Sequence, residues 1–86
     1  MAFSVVIHVR TIIKYSIPAT ARVTLGIYNM LGEKIKTLLD DTVAAGEHSI
    51  NWNGTNDSGK RVSSGIYLIR LSSGENNQMR KMVLLK

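Results

Sequence analysis

The chain of 86 residues can form one small domain, and it carries a formal net charge of +5 at pH 7. A domain of this size buries a modest share of its surface and is only marginally stable alone. The lack of cysteine excludes disulfides and thiolate metal sites, while a hydrophobic fraction of 44% and a single proline exclude a disordered or low-complexity chain.

The first ten residues form a leader whose role the sequence leaves open. Phe3, Val5 and Ile7 recur at every second position, which predicts a strand, although residues foreign to the domain would explain the leader equally well. An unpaired strand with the uncharged residues 5–7 favours edge-to-edge association, so a homo-oligomer formed through the N-terminal strand is one expectation. The leader lacks the basic segment and cleavage site of a signal peptide, so an export signal would lie upstream.

The remainder, residues 11–86, alternates apolar and polar side chains with a period of two, which predicts strands. Six strands are predicted there, at residues 11–17, 22–29, 33–39, 47–52, 65–72 and 77–85. Residues 34–45 also contain apolar residues at helical spacing, but a strand to residue 39 followed by a loop fits the neighbouring elements better. No apolar run approaches the roughly 20 residues of a membrane helix, so no transmembrane segment is predicted. The six predicted strands follow one another at a spacing of about ten residues, which is typical of an all-β, antiparallel sandwich of about six to seven strands.

Turn-forming residues separate these strands. Residues 29–32 and 56–59 each begin with asparagine and end with glycine, which predicts type I turns with Gly32 and Gly59 in the left-handed region. Residues 71–74 are a third candidate for the same loop. The alternating rows place one set of apolar residues in a common core: Tyr15, Leu25, Ile27, Ile50, Trp52, Tyr67 and Ile69.

Six motifs occur in order along residues 11–86, one of them the short GEH at 46–48. The other five are IKYSIP at 13–18, VTLGIYNMLG at 23–32, WNGTNDSG at 52–59, SGIYLIRL at 64–71 and RKMVLLK at 80–86. In these motifs the chain resembles the C-terminal (type A) sorting domain of type IX secretion cargo, which is in turn similar to the Ig-like domain of the flagellar hook-capping protein FlgD. The resemblance implies a small antiparallel Ig-like β-sandwich in which residues 11–86 are one sorting-type domain and residues 1–10 are the leader.

The resemblance also implies a non-catalytic function. A sorting domain directs a secreted bacterial cargo protein through the periplasm to the cell surface or the medium. Its partners are the outer-membrane translocon, a sortase and the upstream cargo domain of a longer precursor. Two alternatives remain: a structural Ig-like module of an extracellular assembly of the hook-capping type, or an accessory carbohydrate-binding domain of a secreted enzyme.

The family's recognition element corresponds to the last strand of this chain. The predicted recognition residues are Lys81, Met82, Val83, Leu84, Leu85 and Lys86. A receptor can add a strand to such a segment through main-chain hydrogen bonds. Met82 and Leu84 share one face and are better explained as core residues, so recognition would rest on Lys81, Lys86 and the exposed backbone.

No enzyme, cofactor or nucleic-acid partner is predicted. A hydrolytic triad needs a nucleophile, a base and an orienting acid in contact, and the chain has two histidines. His48 shares a face with Ile50 and Trp52, which indicates a half-buried structural histidine. Basic residues stand singly between apolar ones, and the aromatic residues that would stack on bases are predicted to lie in the core.

The sequence contains one candidate metal site. Asn53, Thr55, Asn56 and Asp57 place oxygen atoms at close spacing, and Ca²⁺ takes six to eight oxygen ligands. Only Asp57 contributes a carboxylate, however, so these side chains are better explained as caps of their own turn. No metal is therefore predicted.

Overall fold

Seven strands form two antiparallel sheets in the computed structural model, which describes residues 2–7 and 11–85, with the backbone alone at residues 5–7. The strands are β1 (Ala2–Ile7), β2 (Thr11–Ile17), β3 (Ala21–Asn29), β4 (Lys34–Val43), β5 (Gly46–Trp52), β6 (Gly65–Ser73) and β7 (Asn76–Leu84). One sheet has the order β1-β2-β5 and the other has the order β4-β3-β6-β7. The predicted all-β sandwich is therefore confirmed.

The leader contributes a strand of its own. β1 pairs with β2 along its whole length, from Ala2 opposite Ser16 to Ile7 opposite Thr11, and the Phe3 side chain is buried in the core. β1 is thus the seventh strand that the alternation indicated. That β1 mediates association with a second copy of the chain stays a prediction.

The core lies between the two sheets and is centred on Trp52. This side chain is 1% exposed, and its indole Nε1 donates a hydrogen bond to the Thr55 carbonyl oxygen at 2.8 Å. The Tyr67 ring meets it edge-on at 5.5 Å between ring centroids, and the Tyr67 hydroxyl donates to the Ser63 carbonyl oxygen at 2.6 Å. Six of the seven predicted core residues are buried, whereas Ile50 is half-buried and packs against them.

β4 is longer and less regular than predicted. It runs to Val43 instead of residue 39, and its pairing with β3 shifts between Leu25 and Gly26 and again between Ile27 and Tyr28. A bulge inserts one extra residue and so breaks the period of two. The bulges explain why the apolar residues of this strand have helical spacing. All four of them pack against the core from a strand: Ile35, Leu38, Leu39 and Val43.

Two of the three predicted turns are confirmed. Gly32 and Gly59 have φ angles of +84° and +81°, and each amide donates to the carbonyl oxygen of the asparagine three residues earlier, Asn29 or Asn56. The third prediction is wrong, because Ser73 pairs with Asn76 and leaves a two-residue loop. Asn29 and Asn56 fix the longer turns because each side-chain oxygen accepts two backbone N–H groups, which the serines at 72 and 73 do not reproduce.

Replacing Gly32 by valine is expected to destabilise the domain by about 1–3 kcal/mol, because a β-branched residue resists positive φ. A side chain at Gly32 would meet no atom within 4 Å, so the loss would come from the backbone alone. Urea unfolding should show a smaller loss for Gly32→Asn, which tolerates this conformation, and little change for Thr24→Val on an exposed strand position. Equal stability of Gly32→Val and the wild type would contradict the turn assignment.

Candidate functional site

The predicted recognition strand, β7, is an edge strand of the four-stranded sheet. It pairs with β6 from Asn76 opposite Ser73 to Leu84 opposite Gly65. An edge strand has a second row of backbone N–H and C=O groups directed away from its neighbour, and such a row can pair with an added strand. The position of β7 therefore suits the predicted mode of recognition.

The side chains of β7 divide into a core row and an exposed row. Met82 is 2% exposed and Leu84 is half-buried against the core, whereas Lys81 and Val83 point to solvent. Leu85, just beyond the strand, is 78% exposed. The interpretation of Met82 and Leu84 as core residues is confirmed, and Lys86 lies outside the described residues. A receptor can contact the exposed row without disturbing the core.

β7 lies beside β1, the edge strand of the other sheet, on one open side of the sandwich. The guanidinium of Arg80 in β7 lies 5.6 Å from the centroid of the Phe3 ring in β1, which is cation–π distance. This contact joins the two sheets where no strand connects them.

The opposite edge of the same sheet, β4, is covered by the turn at residues 56–59. The Asp57 amide donates to the Ile35 carbonyl oxygen at 3.0 Å, and the Thr37 amide donates to Asp57 Oδ1 at 3.0 Å. Asp57 thereby occupies the place of a neighbouring strand residue. A covered edge is protected from pairing with another chain, so β4 is a poorer docking edge than β7 at these residues.

This role of Asp57 was not predicted from the sequence. Its partners, Ile35 and Thr37, are about twenty residues away, and no local pattern pairs a turn with a distant strand edge. The other oxygen-bearing side chains of the loop also bond locally: Thr55 Oγ1 donates to Asn53 Oδ1 at 2.6 Å, and Asn56 caps its own turn. The prediction that these side chains cap their own turn is confirmed for Asn56 and wrong for Asp57, whose carboxylate bonds to β4. The described residues contain no group of three acidic, histidine or cysteine side chains able to hold a metal.

His48 has a structural position, as predicted. Its ring stacks on Tyr15 with centroids 5.4 Å apart, and Nε2 lies 2.7 Å from the Ala44 carbonyl oxygen. Since a carbonyl only accepts, Nε2 carries the proton. Burial raises the pKa of the Tyr15 phenol above its usual 10.0, so the Tyr15 side chain stays neutral.

Comparison of the sequence with models of known protein families gives a match. The sequence model of the FlgD Ig-like domain matches residues 9–77, which is well over half of the chain. The chain belongs to the FlgD Ig-like domain family. The match includes β2 to β6 and ends at the start of β7, so most of the predicted recognition strand lies beyond the matched residues.

A solved structure supports the same fold for this FlgD Ig-like domain. FlgD from P. aeruginosa matches with a TM-score of 0.64 and 20% sequence identity over 81% of the chain. The chain spans about half of the FlgD chain, 54% of its length. A sequence comparison with curated proteins finds no match.

The described part of this FlgD Ig-like domain has no helix long and apolar enough to span a membrane. The side chains of Asn56 and Asp57 are held in a turn and at a strand edge. β7 offers an accessible backbone edge for strand addition.

Proposed function

We propose that this domain is a non-catalytic structural module of a longer extracellular protein, of the flagellar hook-capping type. Membership of the FlgD Ig-like domain family carries the proposal. The sandwich would serve as a rigid unit that is joined to further domains, since the chain spans only about half of the FlgD chain that it resembles. A carbohydrate-binding role stays an untested alternative.

A second candidate is a sorting address for type IX secretion, with β7 as the segment that the translocon reads. It is favoured by the edge position of β7, by its exposed Lys81 and Val83, and by the end of the family match at residue 77. In this hypothesis a receptor would add a strand to β7 and distinguish its exposed side chains.

One experiment separates the two functions. The 86-residue chain is fused behind a periplasm-targeted reporter and expressed in a bacterium with type IX secretion, and the reporter is assayed in periplasm, surface and medium fractions. A structural module leaves the reporter in the periplasm, which is the expected result. Transfer of the reporter to the surface or the medium would overturn the structural proposal in favour of sorting.

A matched pair of variants would then test whether β7 is the address. Lys81→Glu reverses the charge of the exposed row, whereas Lys14→Glu makes the same charge change on β2 of the other sheet. Exposed substitutions of this kind change stability by no more than about 0.5 kcal/mol, so both proteins should have the wild-type circular dichroism spectrum. Sorting through β7 requires a selective loss of export in Lys81→Glu, and equal losses would exclude recognition at β7.

A further inference from the structure

The two ends of the sandwich differ in charge and in apolar exposure. One end, named here the basic pole, carries the β3–β4 hairpin tip at residues 30–33, the loop at 53–64, and the end of β7. The opposite end, the acidic pole, carries the end of β4, the start of β5 and the β6–β7 turn. Strand register, together with the loops that join the strand ends, places the described charged residues near each end.

Basic side chains predominate at the basic pole. Among the described residues, five basic side chains lie there, against two carboxylates, those of Glu33 and Asp57. The five are Lys34, Lys36, Lys60, Arg61 and Lys81; the Lys36 ammonium lies 3.4 Å from the Asn56 carbonyl oxygen of the loop at this pole. Both carboxylates accept hydrogen bonds within the fold, Glu33 from Asn29 and Asp57 from Thr37. The acidic pole holds four carboxylates, those of Asp40, Asp41, Glu47 and Glu75. Arg22 there is paired with Asp40 at 2.8 Å.

The basic pole also collects exposed apolar side chains. Of the six large hydrophobic residues that are exposed in the described part of the chain, five lie there: Met30, Leu31, Ile66, Val83 and Leu85. Leu31, at the tip of the β3–β4 hairpin, is 85% exposed. Large exposed apolar groups gathered in one place indicate an interaction surface. None of the described residues at the acidic pole is a large exposed hydrophobic.

A row of side chains behind the hairpin tip organises this surface. Tyr28 and Leu68 lie opposite each other on the outer face of the sheet, with Lys34 opposite Tyr28 and Lys81 opposite Leu68. The Lys34 ammonium lies 6.0 Å from the centroid of the Tyr28 ring, which holds its charge over the apolar centre of the row. A lysine thus stands at each end of an apolar strip.

We propose that the basic pole docks on an anionic lipid bilayer, with the Met30–Leu31 tip in the apolar boundary and the Lys34–Lys81 row at the headgroups. At about 3.3 Å per residue, the lysine row lies roughly 7–10 Å behind the tip. This spacing matches the depth of about 5–10 Å to which interfacial segments bury their apolar side chains. Lysine side chains reach from such positions to the headgroups.

Charge and shape favour a bilayer over a second copy of the chain. The acidic pole would attract the lysines of another molecule, but none of its described residues exposes a large apolar side chain to receive Leu31. A convex apolar tip with cations behind it suits a soft apolar layer beneath an anionic surface. The acidic pole then points away from the bilayer, which orients the molecule. Ala2 also lies at the acidic pole, opposite Ser16, so a tag placed before it stays clear of the docking surface.

Vesicle co-sedimentation of the 86-residue chain tests the proposal. The chain should bind vesicles containing about one-third phosphatidylglycerol and should bind phosphatidylcholine vesicles at least tenfold more weakly, because each basic residue near an anionic surface adds about fivefold in affinity. Leu31→Ser and Lys81→Glu should each weaken binding to the anionic vesicles by about tenfold or more. Both residues are exposed, so the variants should remain folded.

Two controls make the test specific. Met79→Ser removes an exposed apolar side chain away from the pole, and Lys14→Glu reverses a charge on the other sheet. Each should change binding by less than about twofold. Met79 lies two residues behind Lys81 on β7, roughly 7 Å farther from the tip, and Lys14 lies three residues, roughly 10 Å, from the pole end of β2, where a charge beyond the screening length of roughly 8–10 Å contributes little. The proposal is overturned if anionic vesicles are not bound, or if Lys14→Glu weakens binding as much as Lys81→Glu. Self-association that Lys81→Glu abolishes, without vesicle binding, would overturn it in favour of a second copy.

Discussion

Replacing Trp52 by alanine is expected to lower the free energy of unfolding by about 3–5 kcal/mol, the range for a large buried aromatic side chain. Trp52 is almost completely buried and lies at the end of β5, where its ring meets Tyr67 from the other sheet. Its Nε1 also holds the start of the 53–64 loop through Thr55. The substitution therefore removes a contact between the sheets and a hydrogen bond of the loop together.

Urea unfolding monitored by circular dichroism is the appropriate measurement, because the indole fluorescence disappears with the side chain. Domains of this kind have total stabilities of about 5–15 kcal/mol, so Trp52→Ala is expected to remove a large fraction of the total and to lower the urea midpoint clearly. Trp52→Phe keeps an aromatic ring but lacks the Nε1 donor, so its free energy of unfolding should fall by less than that of Trp52→Ala. An unchanged midpoint for Trp52→Ala would show that this side chain is not between the sheets.

The parts of the fold that depend on local alternation were predictable from the sequence. Tyr15, Leu25, Ile27 and Ile69 lie in rows with a period of two, and each is buried. The asparagine–glycine turns were predictable for the same reason, because Asn29 and Gly32 fix the turn through bonds within four residues. Family resemblance added the Ig-like fold, which local patterns alone do not specify.

The parts that depend on distant partners were not predictable. The bulges in β4 arise from its pairing with β3, so an apolar pattern interrupted by an extra residue could not be assigned from the strand alone. Asp57 covers the edge of β4 through Ile35 and Thr37, which are neighbours only in the folded chain. The pairing of Lys34, Tyr28, Leu68 and Lys81 across four strands likewise needs the sheet order, although each residue was visible in the sequence.

β7 contributes one row of side chains to the core and another to the surface. Met82→Ala is expected to destabilise the domain by about 2–5 kcal/mol, since it leaves a cavity where a buried side chain faced the core. Met82 lies opposite Tyr67, the residue that also packs on Trp52. A cavity there would loosen the attachment of the whole edge strand.

Val83 is the matched control, because it adjoins Met82 but belongs to the exposed row. Val83→Thr keeps the branched shape that suits a strand and should change stability by no more than about 0.5 kcal/mol. Urea unfolding of the two variants should therefore differ by at least about 1.5 kcal/mol, and equal losses would contradict the assignment of the two rows. The pair also makes the reporter fusion easier to interpret: if export occurs, loss in Met82→Ala alone reflects unfolding, whereas loss in a stable Val83→Thr reflects recognition of the exposed row.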